Sequence, residues 1–292
     1  MRKKNGGACK VEVLYQGSYF YSVKKVKDSE LLAETVFLST ELEAVGTLLV
    51  DLKSFCIKEA GWEIHRAPDP ELQGRGVLPE LKGVEAYFNA GRFLSRATDR
   101  IGGGLVKGLL TECVRGIIQA ETYITKYRGF PTEDEYERCW KQEHVDSCRY
   151  YKRENMGENH WFAYVGEHRR EINLFNRYKS MTVYRRTDGS FLATGSFSDS
   201  FHELNVQLSF DGDRITSCKA AFLRAPGPVC IESSEFLGPF TGRSIAELNK
   251  KEVAKIIGGP DGCIHLVDII HDTLTAARVS SLDAGQLLQL PG

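Results

Sequence analysis

Two stretches of this chain answer each other: Arg66-Ala67-Pro68-Asp69-Pro70 is matched by Arg224-Ala225-Pro226-Gly227-Pro228. Around them Asp51 answers Asp211, Gly83 answers Gly242, and Ile101-Gly102-Gly103 answers Ile257-Gly258-Gly259, in the same order and with short gaps. Each half has the same grammar. Tyr-, Phe- and Val-rich strand patterns at Val11–Val23, Glu34–Ser39, Ala44–Leu52 and Phe55–His65 precede helical spacing at Val84–Arg96 and Val106–Tyr123. Strand patterns return at Met181–Arg186, Phe191–Phe197, Glu203–Phe210 and Arg214–Leu223, followed by a proline break and helices. Runs of strands followed by runs of helices define an α+β protein. The expectation is a divergent tandem repeat, each half an antiparallel sheet followed by helices packed on one face, docked as a pseudo-dimer. Residues 1–128 form a degenerate structural half, 129–178 a helical linker, and 179–292 the second repeat.

The repeat allows one half to be read against the other. Gly258-Gly259-Pro260-Asp261-Gly262 forces a tight loop, and Val267, Ile270, Leu274 and Ala277 then mark one face of a helix over Ile264–Arg278. Cys263 therefore stands at a helix start, where free N–H groups and the helix dipole favour thiolate. With Gly104 set on Gly262, Leu105 stands opposite Cys263 and Lys107 opposite His265; Leu72 faces Cys230, Leu42 faces His202 and Ser39 faces Asp199. The first half keeps the turns and lacks the polar set. Two thiolates, an imidazole and a second imidazole or carboxylate suit zinc or iron, with or without sulfide. The plainer readings are a buried cysteine at a helix start, a capping histidine, and an Asx turn at Asp199.

These residues also carry a resemblance. Tyr184-Arg185-Arg186-Thr187-Asp188-Gly189, Asp199 with His202, Cys230, and Gly262-Cys263-Ile264-His265-Leu266 resemble the signature of an uncharacterised bacterial domain-of-unknown-function family, whose last motif is Gly-Cys-Thr-His-Leu, over about residues 178–285. Ser200-Phe201, Glu203-Leu204 and Gly195 depart from that pattern. More distantly, a cysteine after the third strand of a unit and another opening a long helix resemble IscU/NifU-type iron–sulfur scaffolds. That resemblance implies an iron–sulfur or persulfide carrier, although no cysteine stands near Asp199 to match the scaffold's first-loop thiolate.

Composition narrows the classes. With 38 basic and 39 acidic residues the net charge is −1, which supplies no general field for nucleic acid or an anionic membrane. No stretch approaches the roughly 20 apolar residues of a membrane span, and the basic N-terminus lacks a signal peptide's apolar run. Eight cysteines, Cys9 among them, show no secreted framework, so a cytoplasmic chain with reduced thiols is expected. In the linker, Thr132-Glu133-Asp134-Glu135 is a capping box, and Cys139, His144, Cys148 and His160 fit a charged connecting helix with a buried Trp face better than a metal site. The function expected is a cytoplasmic metal-binding protein, zinc or iron, with a site drawn from Cys263, Cys230, His202, His265 and Asp199 and acting on a small molecule or partner protein. The alternatives are the iron–sulfur or persulfide carrier and a metal-free interaction module.

Overall fold

A computed structural model of the chain describes residues 11–157, 160–166 and 169–280. Cys9 and the basic N-terminal residues lie outside the described residues. Alternation creates the first strands: on β2 (Glu30–Ser39) Leu31, Ala33, Thr35 and Phe37 turn inward. With β1 (Glu12–Lys27), β3 (Glu43–Asp51), β4 (Ile57–Arg66) and the short β5 (Gly74–Val77) this strand builds one side of a single antiparallel sheet. The other side is β6 (Asn173–Arg185), β7 (Phe191–Asp199), β8 (Glu203–Asp211) and β9 (Arg214–Arg224), giving the order β5-β4-β3-β2-β1-β6-β7-β8-β9. The central β1–β6 pair runs from Glu12↔Arg185 to Lys24↔Asn173, so β6 begins at Asn173 rather than Met181.

The helices are α1 (Gly91–Ala97), α2 (Leu105–Ala120), α3 (Glu133–Glu143), α4 (Trp161–Val165), α5 (Pro228–Glu232), α6 (Lys250–Ile257) and α7 (Ile264–Ser280). The helix expected from Val84 starts only at Gly91, because Ile57 N–H donates to Val84 O and Cys56 bridges to Glu85, which draws this segment onto the end of β4. In α3 the capping box holds, with Thr132 Oγ1 accepting from Glu135 N–H at 3.2 Å. Helices α2 and α7 lie side by side on one face of the sheet. Beneath α2 is a core that includes Val23, Leu31, Leu48 and Leu110; beneath α7 a second includes Val183, Phe197, Leu208 and Leu274.

Matching details recur in the two sides. Gly83 (φ 83°) and Gly242 (φ 85°) each turn the chain back onto a strand start. Gly83 N–H donates to Ile57 O and Ile57 N–H to Val84 O; Gly242 N–H donates to Ile215 O and Ile215 N–H to Arg243 O, all at 2.8–3.0 Å. Arg66 caps Ser39 O and Thr40 O as Arg224 caps Asp199 O and Ser200 O.

A buried charged seam separates the two cores. Arg177 and Lys179 of β6 project between α2 and α7, where Arg177 meets Glu112 at 3.5 Å, Arg115 meets Glu112 at 2.7 Å and Asp268 at 2.9 Å, and Lys179 pairs with Asp272. Each charge has a counter-charge within reach, as burial demands.

Candidate functional site

The bend between β7 and β8 is closed by a side chain. Asp199 Oδ1 accepts the N–H groups of Phe201 at 2.8 Å and His202 at 2.7 Å, as Ser39 Oγ in the first half accepts those of Glu41 and Leu42. The Asx-turn reading of Asp199 is therefore correct. The carboxylate does more than close the turn, because His202 Nδ1 lies 3.2 Å from Oδ1 and Arg177 holds Oδ2 through Nε at 3.3 Å and Nη2 at 3.1 Å. Burial pushes this carboxyl upward, yet His202 and Arg177 together hold it far below the usual carboxylate range. An ionised carboxylate only accepts, so Nδ1 of His202 is the donor in this contact and Nε2 takes no part in it.

His265 comes from the first turn of α7 and lies almost against His202, ring centroids 3.8 Å apart and planes inclined by 32°. Phe197 meets His265 edge-on at 5.3 Å. Burial first, helped by the nearby Arg177 charge, holds the His265 pKa well below that of a free imidazole, so the ring is neutral.

Cys263 is placed by Gly262. A Cβ at Gly262 would stand 1.9 Å from Ile257 O, so only glycine lets the loop fold back over the end of α6. Cys263 N–H then donates to Ile257 O at 2.8 Å while its carbonyl accepts Val267 N–H at 3.1 Å, opening α7. Its Sγ lies 3.9 Å from His265 Nδ1. The thiolate expected at this helix start is not the resting state: burial pushes the thiol up to about 12, outweighing the helix N–H groups of Leu266 and His265. Cys230, in α5, is likewise pushed up to about 12 by burial and by the neighbouring Cys263 and Cys148.

A cavity of about 460 Å³ joins these groups: His202, Cys230, Cys263 and His265 line it, and Asp199 stands behind His202. Among the described residues, Asp199, His202 and His265 bring ligand atoms within 4.8 Å of one another; the two cysteines are not in that group. The sequence reading missed three contributors. Cys148 lines the same cavity, held near the Gly262 loop because Arg149 N–H donates to Gly262 O at 2.8 Å. Arg177 carries the ion pair to Asp199 from 22 residues away. The connecting segment supplies Trp140, Tyr151 and Trp161, so it walls the cavity. The Trp face on α3 was the legible signal. By contrast, Arg185, Arg186 and Asp188 shape the β6–β7 hairpin, where Asp188 Oδ1 accepts Ser190 N–H at 2.9 Å, and they do not line the cavity.

Residues 175–278 match a family described as protein of unknown function (DUF2889). The matched segment holds Asp199, His202, Cys230, Cys263 and His265, and it bears out the resemblance to an uncharacterised domain family. No curated protein matches the chain, and no solved structure does. No described helix is long and apolar enough to cross a membrane.

Proposed function

We propose that the chain binds a transition metal, zinc or iron, at the His202–His265 end of the cavity. Cys263 and Cys230 supply the sulfur ligands, and Asp199 orients His202 from behind. The observation that carries this reading is the grouping of Asp199, His202 and His265 ligand atoms within 4.8 Å, with Cys263 Sγ 3.9 Å from His265 Nδ1. Ligand atoms of a tetrahedral N/S zinc site lie roughly 3.3–3.8 Å apart at ordinary bond lengths. Asp199 is given the supporting role because both its oxygens are already engaged. A carboxylate behind a ligating histidine fixes its tautomer and ring orientation. Two imidazoles meet a shared ion edge-on, so loading turns one ring out of its present stacking.

Metal analysis of protein purified without oxygen tests this. About one equivalent of zinc or iron, lost in Cys263→Ser and His265→Ala, is expected; less than about a tenth of an equivalent, unchanged by Cys263→Ser, overturns it. Visible charge-transfer bands separate an iron–sulfur centre from colourless zinc. The persulfide carrier gains little support, since Cys230 and Cys263 are each only 6% exposed.

The saturated carboxylate and stacked rings favour a second reading. A metal-free centre in which His202 Nε2 takes a proton from a molecule in the cavity uses the same Asp199–His202 pair.

We also infer that the two sides of the sheet arose by tandem duplication and dock as a pseudo-dimer. The paired returns at Gly83 and Gly242 and the paired caps from Arg66 and Arg224 support this. Residues 1–128 then act as the structural half, 129–178 as the connector and 179–292 as the half that carries the site.

A further inference from the structure

Aromatic and aliphatic side chains make up most of the cavity wall beyond the histidines, with polar side chains such as Thr111, Gln119 and Thr122 among them. The apolar part comes from four segments: Phe88 after β5, Val114 and Ile118 of α2, Trp140 of α3 with Tyr151 beyond it, and Trp161 of α4. Both indoles have their N–H groups occupied, Trp140 Nε1 donating to Tyr151 Oη at 2.8 Å and Trp161 Nε1 to Thr122 Oγ1 at 3.2 Å. These rings therefore offer ring carbon to a ligand, not donors, and Trp140 is already stacked on His144 at 4.0 Å.

Every Arg, Lys, Asp or Glu on the wall is also paired. Arg115 is held by Asp268 and Glu112, Arg177 by Asp199, Lys141 by Glu137 at 2.8 Å, and Arg149 by Glu232 at 2.7 Å. Among the described lining residues no Arg or Lys lacks a counter-charge, although Arg149 Nε itself has no hydrogen-bond acceptor, and burying an uncompensated anion in a largely apolar wall is costly. The adjacent imidazoles of His202 and His265 remain as polar contacts to the cavity.

We propose that this cavity binds an uncharged, ring-based apolar molecule of two to four fused rings, with a single hydroxyl or carbonyl oxygen at the His202–His265 end. The volume lies within the range of small-molecule sites. Contact with the aromatic wall around Phe88, Trp140 and Trp161 supplies the affinity, and the oxygen sets the orientation. That orientation rests on the proposed centre at His202 and His265; binding itself rests on the aromatic wall.

Calorimetric titration of the full chain with 2-naphthol and 2-naphthoate at neutral pH, metal-free and then with added zinc, tests it. Saturable one-to-one binding of 2-naphthol at least about tenfold tighter than 2-naphthoate is expected, because only the naphthoate buries a charge. Phe88→Ala, at a half-exposed wall position, and Trp140→Leu should each weaken 2-naphthol at least about threefold. Equal or tighter binding of 2-naphthoate, or affinity unchanged in the folded Phe88→Ala protein, overturns the proposal. Binding of 2-naphthol to a protein that takes up no zinc upholds the cavity and defeats the metal reading; zinc uptake without 2-naphthol binding does the reverse.

Discussion

His202 Nδ1 lies 3.2 Å from Asp199 Oδ1, while Arg177 Nη2 holds the other oxygen of that carboxylate at 3.1 Å. One side chain thus closes a turn, neutralises a buried guanidinium and fixes an imidazole tautomer. In the first half Ser39 performs the first of these tasks alone, with Leu42 where His202 stands.

Asp199→Asn keeps an oxygen for the turn and leaves Arg177 with Glu112 alone, at 3.5 Å. Removing one partner of a buried pair costs about 3 kcal/mol. Urea unfolding at pH 7 should show that loss with an unchanged m value. If the protein binds zinc, the same variant should lower its affinity about 10- to 100-fold.

The histidines set a pH dependence. Burial holds His265 and His144 below the ordinary imidazole pKa in the folded chain. The unfolded chain, with values near 6.5, takes up protons first as pH falls. Stability should therefore be level above about pH 7.5 and decline as pH drops through about 6.5, by at most about 1.4 kcal/mol per pH unit for each group. Melting curves between pH 8 and 5 read this, and His265→Asn should flatten the slope. Asp199, with its pKa depressed, acts in a lower window: its contribution is present above about pH 4 and fades below it.

Cys230 and Cys263, both pushed up to about 12, should resist alkylation. At pH 8, mass spectrometry of iodoacetamide-treated protein should find both at least about 100-fold slower to label in the folded chain than in urea, since thiolate is the reacting form. Rapid labelling of Cys263 in the folded protein would show that the helix N-terminus, not burial, governs it.

Gly262→Ala places a methyl group against Ile257 O, where the available gap is 1.9 Å. Overpacking against backbone costs roughly 1–3 kcal/mol or more. Because this loop carries Cys263, metal stoichiometry or 2-naphthol affinity should fall with stability. Gly189→Arg changes a turn with nothing within 4 Å and costs only the strain of its φ of 85°, leaving the cavity untouched.

Much of the fold was legible because its causes are local. Period-two alternation at Leu31, Ala33 and Phe37 and capping at Thr132 act within a few residues. Ser39 and Asp199, set opposite each other by the Arg66 and Arg224 motifs, each close a turn and each have their carbonyl held by one of those arginines. The helix expected at Val84 failed because a backbone bridge from Ile57 overrode local spacing.

The sequence by itself determined which residue types the second half offers, and it pointed to Asp199, His202, Cys230, Cys263 and His265 from the ends of elements. Tertiary structure decided what those residues are. Burial turned an expected thiolate into a thiol, Arg177 and the turn N–H groups used up the Asp199 oxygens, and the connector brought Cys148, Trp140 and Trp161 over the site. Desolvation and long-range ion pairing depend on which groups surround a side chain in space, and local spacing carries neither.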